Sequence, residues 1–340
     1  MTAVAAAVPK AFIWRRIHSL MGLWFVLFLM EHLLTNSQAA LWLGDNGRGF
    51  VDMVNGIHNL PYLEVIECAL LGVPILIHMV LGVKYLFTAK SNSSKTDGSV
   101  PYIPTGRNRA YTWQRITSWI LLFMLVGHVV KFRFLQYPEK LPFGKETFYA
   151  VNVTVDNGLY TVADRLDVSL YDQEAIEDEV ASLESSRAEI ARLEAVVQMP
   201  REAFDLWTGP VPEEYSAKKA SLIFSLQNYR DRVVFIEALA KCVPSEKEVV
   251  ACAKDFGTAS LFAVRNTFKN PIYIGLYTIF VLAACFHAAN GFWTFLLTWG
   301  WILKMAAQRA WTTVAAVLMA ALIFLGLAAV WGTYWINLRY

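Results

Sequence analysis

Four of the six histidines stand where an ionisable ring is expensive. His32, His78, His128 and His287 fall one each in four long apolar stretches. Hydrocarbon penalises such groups, so each needs a bonding or chemical reason. One alone reads equally well as a core histidine bonded to a neighbouring helix. Four on four successive stretches ask for a shared purpose, and neutral imidazole nitrogen suits an axial ligand to haem iron.

The stretches that carry them are long enough to span a bilayer, which takes about 20 apolar residues each. Five are readable: Ser19–Leu43, Tyr62–Phe87, Gln114–Gln136, Pro271–Leu297 and Thr312–Asn337. The fifth has no histidine. The composition agrees: 56% of the 340 residues are hydrophobic and 17% are charged. The charges are uneven, with 22 of the 28 acids inside 137–270. That segment reads as a water-exposed insert between membrane segments 1–136 and 271–340. No basic patch of the nucleic-acid-binding kind is present.

Lysine and arginine set the expected orientation. Lys10, Arg15 and Arg16 precede the first span. Lys84, Lys90, Lys95, Arg107, Arg109 and Arg115 lie around the second loop, and Lys304 and Arg309 in the last. The first loop has Arg48 and the tail Arg339. A cytoplasmic N-terminus follows, with the insert and C-terminus outside. Trp14, Trp113, Trp299, Trp301 and Trp335 suit interfacial belts. A cleaved leader is the competing reading of the first span, since "SQA" precedes Ala40. Glu31 and His32 make a poor leader core.

Depth sorts the histidines. His32 lies 16 residues after Arg16, and His128 lies 13 after Arg115. At 1.5 Å per residue both stand about 20–24 Å from the cytoplasmic boundary. His78 follows Pro61 by 17 residues and His287 follows Pro271 by 16. These stand about 24–26 Å from the outer boundary. The expected pairs are therefore His32 with His128 (outer) and His78 with His287 (cytoplasmic side). Two imidazoles per level fit a bis-histidine haem in a helix bundle; a bare zinc ion asks for three or four ligands. Gly82 and Gly291 follow His78 and His287 by four residues, a same-face offset that leaves room for a flat macrocycle. Glycine as a plain packing residue is the alternative. No C-x-x-C-H occurs, so covalent attachment is not expected.

Haem propionates seek cations, hydroxyls and helix starts. Arg16, His18 and Ser19 are candidates at the start of the first span, and Lys131 and Arg133 follow His128. Anchoring at the interface explains these cations equally well. Stacked haems need an electron partner in the lipid, commonly a quinone. Glu67, His58 and Glu31 are the candidate proton-accepting groups for it.

"RRIHSLMG" (15–22), "EHLLTN" (31–36), "NLPYLEVIE" (59–67), "PILIHMVLGVKY" (74–85), "QRITSW" (114–119), "GHVVKFR" (127–133) and "FHAANGFWTFLLTWG" (286–300) resemble the cytochrome b membrane subunit of succinate:quinone oxidoreductase. The likeness is to the type with five helices and two haems in one chain, and covers about 11–135 and 268–340. It implies the same histidine pairing, and places the "HS" at 18–19 beside a propionate. It implies an all-α integral membrane protein with two non-covalent b haems in a bacterial inner membrane. It also implies two soluble partners on the cytoplasmic side, a flavoprotein with FAD and an iron–sulfur protein. Net direction is succinate oxidation or fumarate reduction. Quinone chemistry near the outer haem would couple turnover to the membrane potential, at about 2.3 kcal/mol per charge per 100 mV. That arrangement suits menaquinone.

The insert departs from the family. Residues 171–197 and 213–242 read as two amphipathic helices, hence a helical hairpin outside the membrane. A solvated decoration is the plain reading, and a partner surface or quinone cover the alternative. Cys242 and Cys252 are expected to form a disulfide in an oxidising compartment. Cys68 and Cys285 read as packing residues in spans. Two other functions stay open: a haem-free proton-coupled transporter, and the di-haem subunit of another quinone-linked dehydrogenase or hydrogenase.

Overall fold

The computed structural model describes residues 8–42, 44–88, 92–95, 101–197 and 213–340. Leu43 and Lys90 of the sequence reading lie outside them. The described chain divides into two compact units: 1–135 with 267–337, and 136–266 with 338–340.

Among the described residues, the first unit contains five helices long and apolar enough to cross a membrane. They are α1 (Lys10–Leu41), α3 (Leu63–Thr88), α4 (Gly106–Leu135), α9 (Pro271–Thr298) and α10 (Met305–Asn337). A shorter α2 (Arg48–His58) joins the first two. Local chemistry sets the starts. Asn270 caps α9 by accepting from the Ile272 amide at 2.9 Å, and Pro271 fills the first position, where no donor is needed. Three spans contain a wide π-helical segment: Cys68–Gly72 in α3, Val130–Leu135 in α4 and Ala328–Asn337 in α10. The Leu70 carbonyl in the first of these accepts from the Trp24 indole at 2.5 Å.

Small residues let the helices close. A Cβ on Gly326 would stand 2.6 Å from Val281, and one on Gly332 2.6 Å from Ala40. Side-chain packing drives association where lipid removes the hydrophobic drive, so these contacts hold α10 against α9 and α1. Gly332→Ala should therefore destabilise the purified protein by about 1–3 kcal/mol through overpacking. Gly275→Ala, with open space around the new methyl, is the matched control and should not lower the melting temperature in detergent. Equal melting of the two variants would refute this account of the seam.

The second unit corrects the expected helical insert. It holds a four-stranded antiparallel sheet as well as the hairpin. The strands are β1 (Glu139–Phe143), β2 (Glu146–Thr154), β3 (Ser169–Tyr171) and β4 (Glu248–Ala253), in the order β1–β2–β4–β3. Gly144, at φ +61°, turns β1 into β2. Val249 through Ala253 in central β4 are all buried. Such a strand, covered on both faces, reads as an unbroken apolar run rather than an alternation, and that hid the sheet.

Among the described residues the helices of this unit are α5 (Leu159–Arg165), α6 (Gln173–Val197), α7 (Glu213–Leu239) and α8 (Phe256–Phe268), whose last two residues fall in the first unit. The expected hairpin is α6 with α7. Leu183, Leu193, Leu226 and Ile236 are buried within it. Arg187–Glu237 (2.8 Å), Arg232–Glu179 (3.0 Å) and Arg230–Glu194 cross between the helices. All three are largely exposed, so each contributes little.

Cys242 and Cys252 are free thiols, not a disulfide. Both belong to the apolar cluster of Leu141, Ala150, Ile176, Leu239 and Val250. Burial pushes the Cys252 thiol up to about 12 and raises Cys242 as well. Thiols held protonated in an apolar core are packing groups with little nucleophilic character.

Candidate functional site

The spans bring the histidines together at two levels. At the first, α1, α3 and α9 supply His18, His78 and His287. The His18 and His78 rings stack at 4.1 Å and 14°, and the His78 and His287 rings meet at 6.3 Å and 78°. At the second, α1 and α4 bring His32 and His128 to 5.8 Å and 86°. Fourteen residues of α1 separate His18 from His32, about 21 Å along the axis.

Bonding at the ring Nδ1 atoms decides what each ring can do. His78 Nδ1 lies 3.1 Å from the His18 carbonyl. A carbonyl only accepts, so in the neutral ring Nδ1 holds the proton and Nε2 the lone pair. His287 Nδ1 lies 3.3 Å from the Thr117 hydroxyl. That hydroxyl donates to backbone carbonyls of its own helix (Trp113 at 2.9 Å, Gln114 at 3.0 Å), leaving its oxygen to accept from the ring. His128 Nδ1 is 3.1 Å from the Tyr277 hydroxyl. His32 Nδ1 instead has a donor beside it, the Asn36 amide nitrogen at 3.5 Å, which bonds the His32 carbonyl more closely, at 2.7 Å.

At His78, His287 and His128 those features fit a metal held by Nε2. A ligating histidine characteristically donates its other ring nitrogen to a fixed acceptor. Bonds of about 2 Å to one nitrogen on either side of a metal put two ring centres roughly 6 Å apart. Both facing pairs meet that spacing. Among the described residues no group of three or more histidine, cysteine, aspartate or glutamate side chains is placed to hold a bare metal ion. Two ligands per level suit a metal that arrives with a macrocycle of its own.

The glycines are arranged differently from expectation. Gly82 does not clear space at His78: its missing Cβ faces His18 Nε2 at 3.5 Å. Gly22, which the sequence reading did not single out, faces His78 at 3.1 Å. Each glycine follows a histidine by four residues, and each makes room for the other helix's ring. The offset of Gly22 from His18 was the available signal. Gly291 faces the Gln114 amide at 3.9 Å. Gln114 ties α4 to α9, donating to the His287 carbonyl at 3.2 Å and accepting from Asn290 at 2.8 Å.

The remaining candidates disperse. Glu67 and Arg133 pair with each other at 3.0 Å, both side chains partly exposed. Lys131 lies 4.2 Å over the Tyr273 ring, and Arg16 3.4 Å over Phe12. Ser19 is half-buried beside His18, whose Nε2 is buried without a hydrogen-bond partner. His58 ends α2, half-buried. Glu31 is exposed and accepts from Thr35 of its own helix at 2.7 Å, rather than from another span.

No family model and no solved structure matches the chain. Among curated proteins, the succinate dehydrogenase cytochrome b558 subunit of Bacillus subtilis (strain 168) is 33% identical over 121 residues. The match covers 35% of this chain and 54% of that protein, so the chain spans about half the length of its relative. This likeness supports the family to which the quoted motifs point, a membrane cytochrome b subunit of succinate dehydrogenase.

Proposed function

We propose that the chain is the cytochrome b membrane subunit of a succinate:quinone oxidoreductase, and that it holds two b haems. His78 and His287 are the axial ligands of one, and His32 and His128 of the other. The observation that carries this reading is the double pairing: four successive histidine-bearing spans deliver facing imidazoles at two levels about 21 Å apart. Haem supplies one-electron redox chemistry when bound. The chain's own part is to hold the His78, His287 and His128 rings by their Nδ1 sides, exclude water with apolar helices and keep the levels apart.

On this reading the first level lies toward the cytoplasm, where loop cations gather. Arg107 at the start of α4 bonds Gln308 of α10 and lies 5.4 Å over Trp293 of α9. That end of the bundle would receive the iron–sulfur subunit and, through it, the FAD-bearing flavoprotein. Quinone, menaquinone by preference, would react toward the other level. The Glu67–Arg133 pair gives that end a carboxylate and a cation in contact.

Affinity purification of the full chain from its membrane, with cofactor analysis, tests the proposal. The expected result is a reduced-minus-oxidised spectrum with b-type bands, about two haems per chain, and a co-purifying flavin- and iron–sulfur-containing pair. No b-type bands would leave the proton-coupled transporter. A nickel or molybdenum partner would assign the chain to another quinone-linked dehydrogenase or hydrogenase.

A further inference from the structure

We infer that two hydroxyl groups, on Tyr277 and Thr117, are positioning residues that set the donor strength of one imidazole at each level. Tyr277 acts through His128, and Thr117 through His287. The inference rests on the haem ligation proposed above and adds residues that neither the sequence motifs nor the relative's name assigns.

The two levels leave one adjustable partner each. At the first, His78 is held by a peptide carbonyl, which no side-chain substitution removes. His287 is held by Thr117, itself 5% exposed, with its hydroxyl hydrogen directed to the backbone. At the second, His32 has only a long contact to Asn36, whose amide is engaged by the backbone. His128 meets the phenol of Tyr277, which is 8% exposed. Phe268, Phe132 and Phe280 hold the Tyr277 ring from 5.2, 6.3 and 5.9 Å, and Phe132 and Phe280 also flank His128. The phenol is thus fixed in an apolar wall, in reach of His128 Nδ1.

The physical effect has a sign. An acceptor at Nδ1 draws the ring proton outward and makes Nε2 a stronger donor. Stronger donation stabilises the oxidised, more positive iron. Removing the acceptor should favour the reduced form and raise that haem's midpoint potential. A buried tyrosine that merely finds a partner for its hydroxyl would leave both midpoints unmoved when lost.

The test is Tyr277→Phe and Thr117→Val in the full-length protein, each close to isosteric, followed by redox titration of the b-type bands. Both variants should keep two haems. Each should raise one midpoint and spare the other, and the two should move different haems. About a tenfold change in the reduction equilibrium is expected, which for one electron is about 59 mV. Unmoved midpoints, or both variants moving the same haem, would overturn the inference. If one variant fails to accumulate, the other decides: one raised midpoint supports the assignment and none refutes it. A parent protein without b-type bands would instead remove the ligation reading itself.

Discussion

His287→Ala should eliminate one haem per chain and spare the second, and His78→Ala should eliminate that same haem. The 6.3 Å separation of their rings is the spacing that the proposed ligation of one centre by both requires. His32→Ala and His128→Ala should together define the other, across 5.8 Å. About 21 Å of α1 separates the levels, so loss at one leaves the other's ligands in place. Combining His78→Ala with His287→Ala should lose no more haem than either alone. Combining His78→Ala with His128→Ala should leave none. Haem per chain and the resolved low-temperature bands report both. If His32→Ala and His78→Ala deplete one common centre, the pairing is wrong. His18 stacks flat on His78 at 4.1 Å, and the proposed pairing makes it a ligand in neither centre.

Arg265→Met should be the most damaging single change in the second unit. The Arg265 side chain is 1% exposed. Its two terminal nitrogens reach Asp156 at 2.8 and 2.7 Å, and its Nε donates to the Leu338 carbonyl at 2.7 Å. Breaking a buried ion pair from one side leaves an uncompensated charge and costs about 3–5 kcal/mol. A fold with roughly 5–15 kcal/mol in hand loses much of its margin. Replacing both partners by apolar groups removes the stranded charge, so Arg265→Met with Asp156→Leu should be less damaged than Arg265→Met alone. Denaturant unfolding, or protease susceptibility of 136–266, measures the order. A single variant within about 1 kcal/mol of the parent would show that the pair does not hold this unit.

The membrane part was legible because hydropathy and depth are one-dimensional quantities. Proline and arginine positions located the imidazoles along each span, and the structure brings together the rings that this arithmetic paired. What the rings touch sideways was not legible. Tyr277 sits in an apolar run where a phenol looks like any interfacial aromatic, and Gly22 looks like any packing glycine. Arg133 and Glu67 were read as separate groups with separate tasks, because their contact depends on how two helices face each other. In the insert, the length and polarity of the two helices made them legible, although only 173–197 carries an apolar stripe and 213–239 has almost none. The strands did not announce themselves: EVVACA is a short apolar run, ambiguous between strand and helix.

The wide turn at Cys68–Gly72 makes length and phase independent in α3. An ordinary helix advances about 100° per residue, and a π turn absorbs an additional residue without breaking the rod. The azimuth of Glu67 relative to His78 is therefore offset from what their spacing gives on a regular wheel. Excising one residue between 68 and 72 would let the segment close as ordinary helix with the Glu67 carboxylate on nearly the same heading, whereas closing the turn at full length would swing that carboxylate round the axis, away from Arg133. The rotational heading of this carboxylate is encoded in a local miscount of residues, separately from the imidazole eleven positions on.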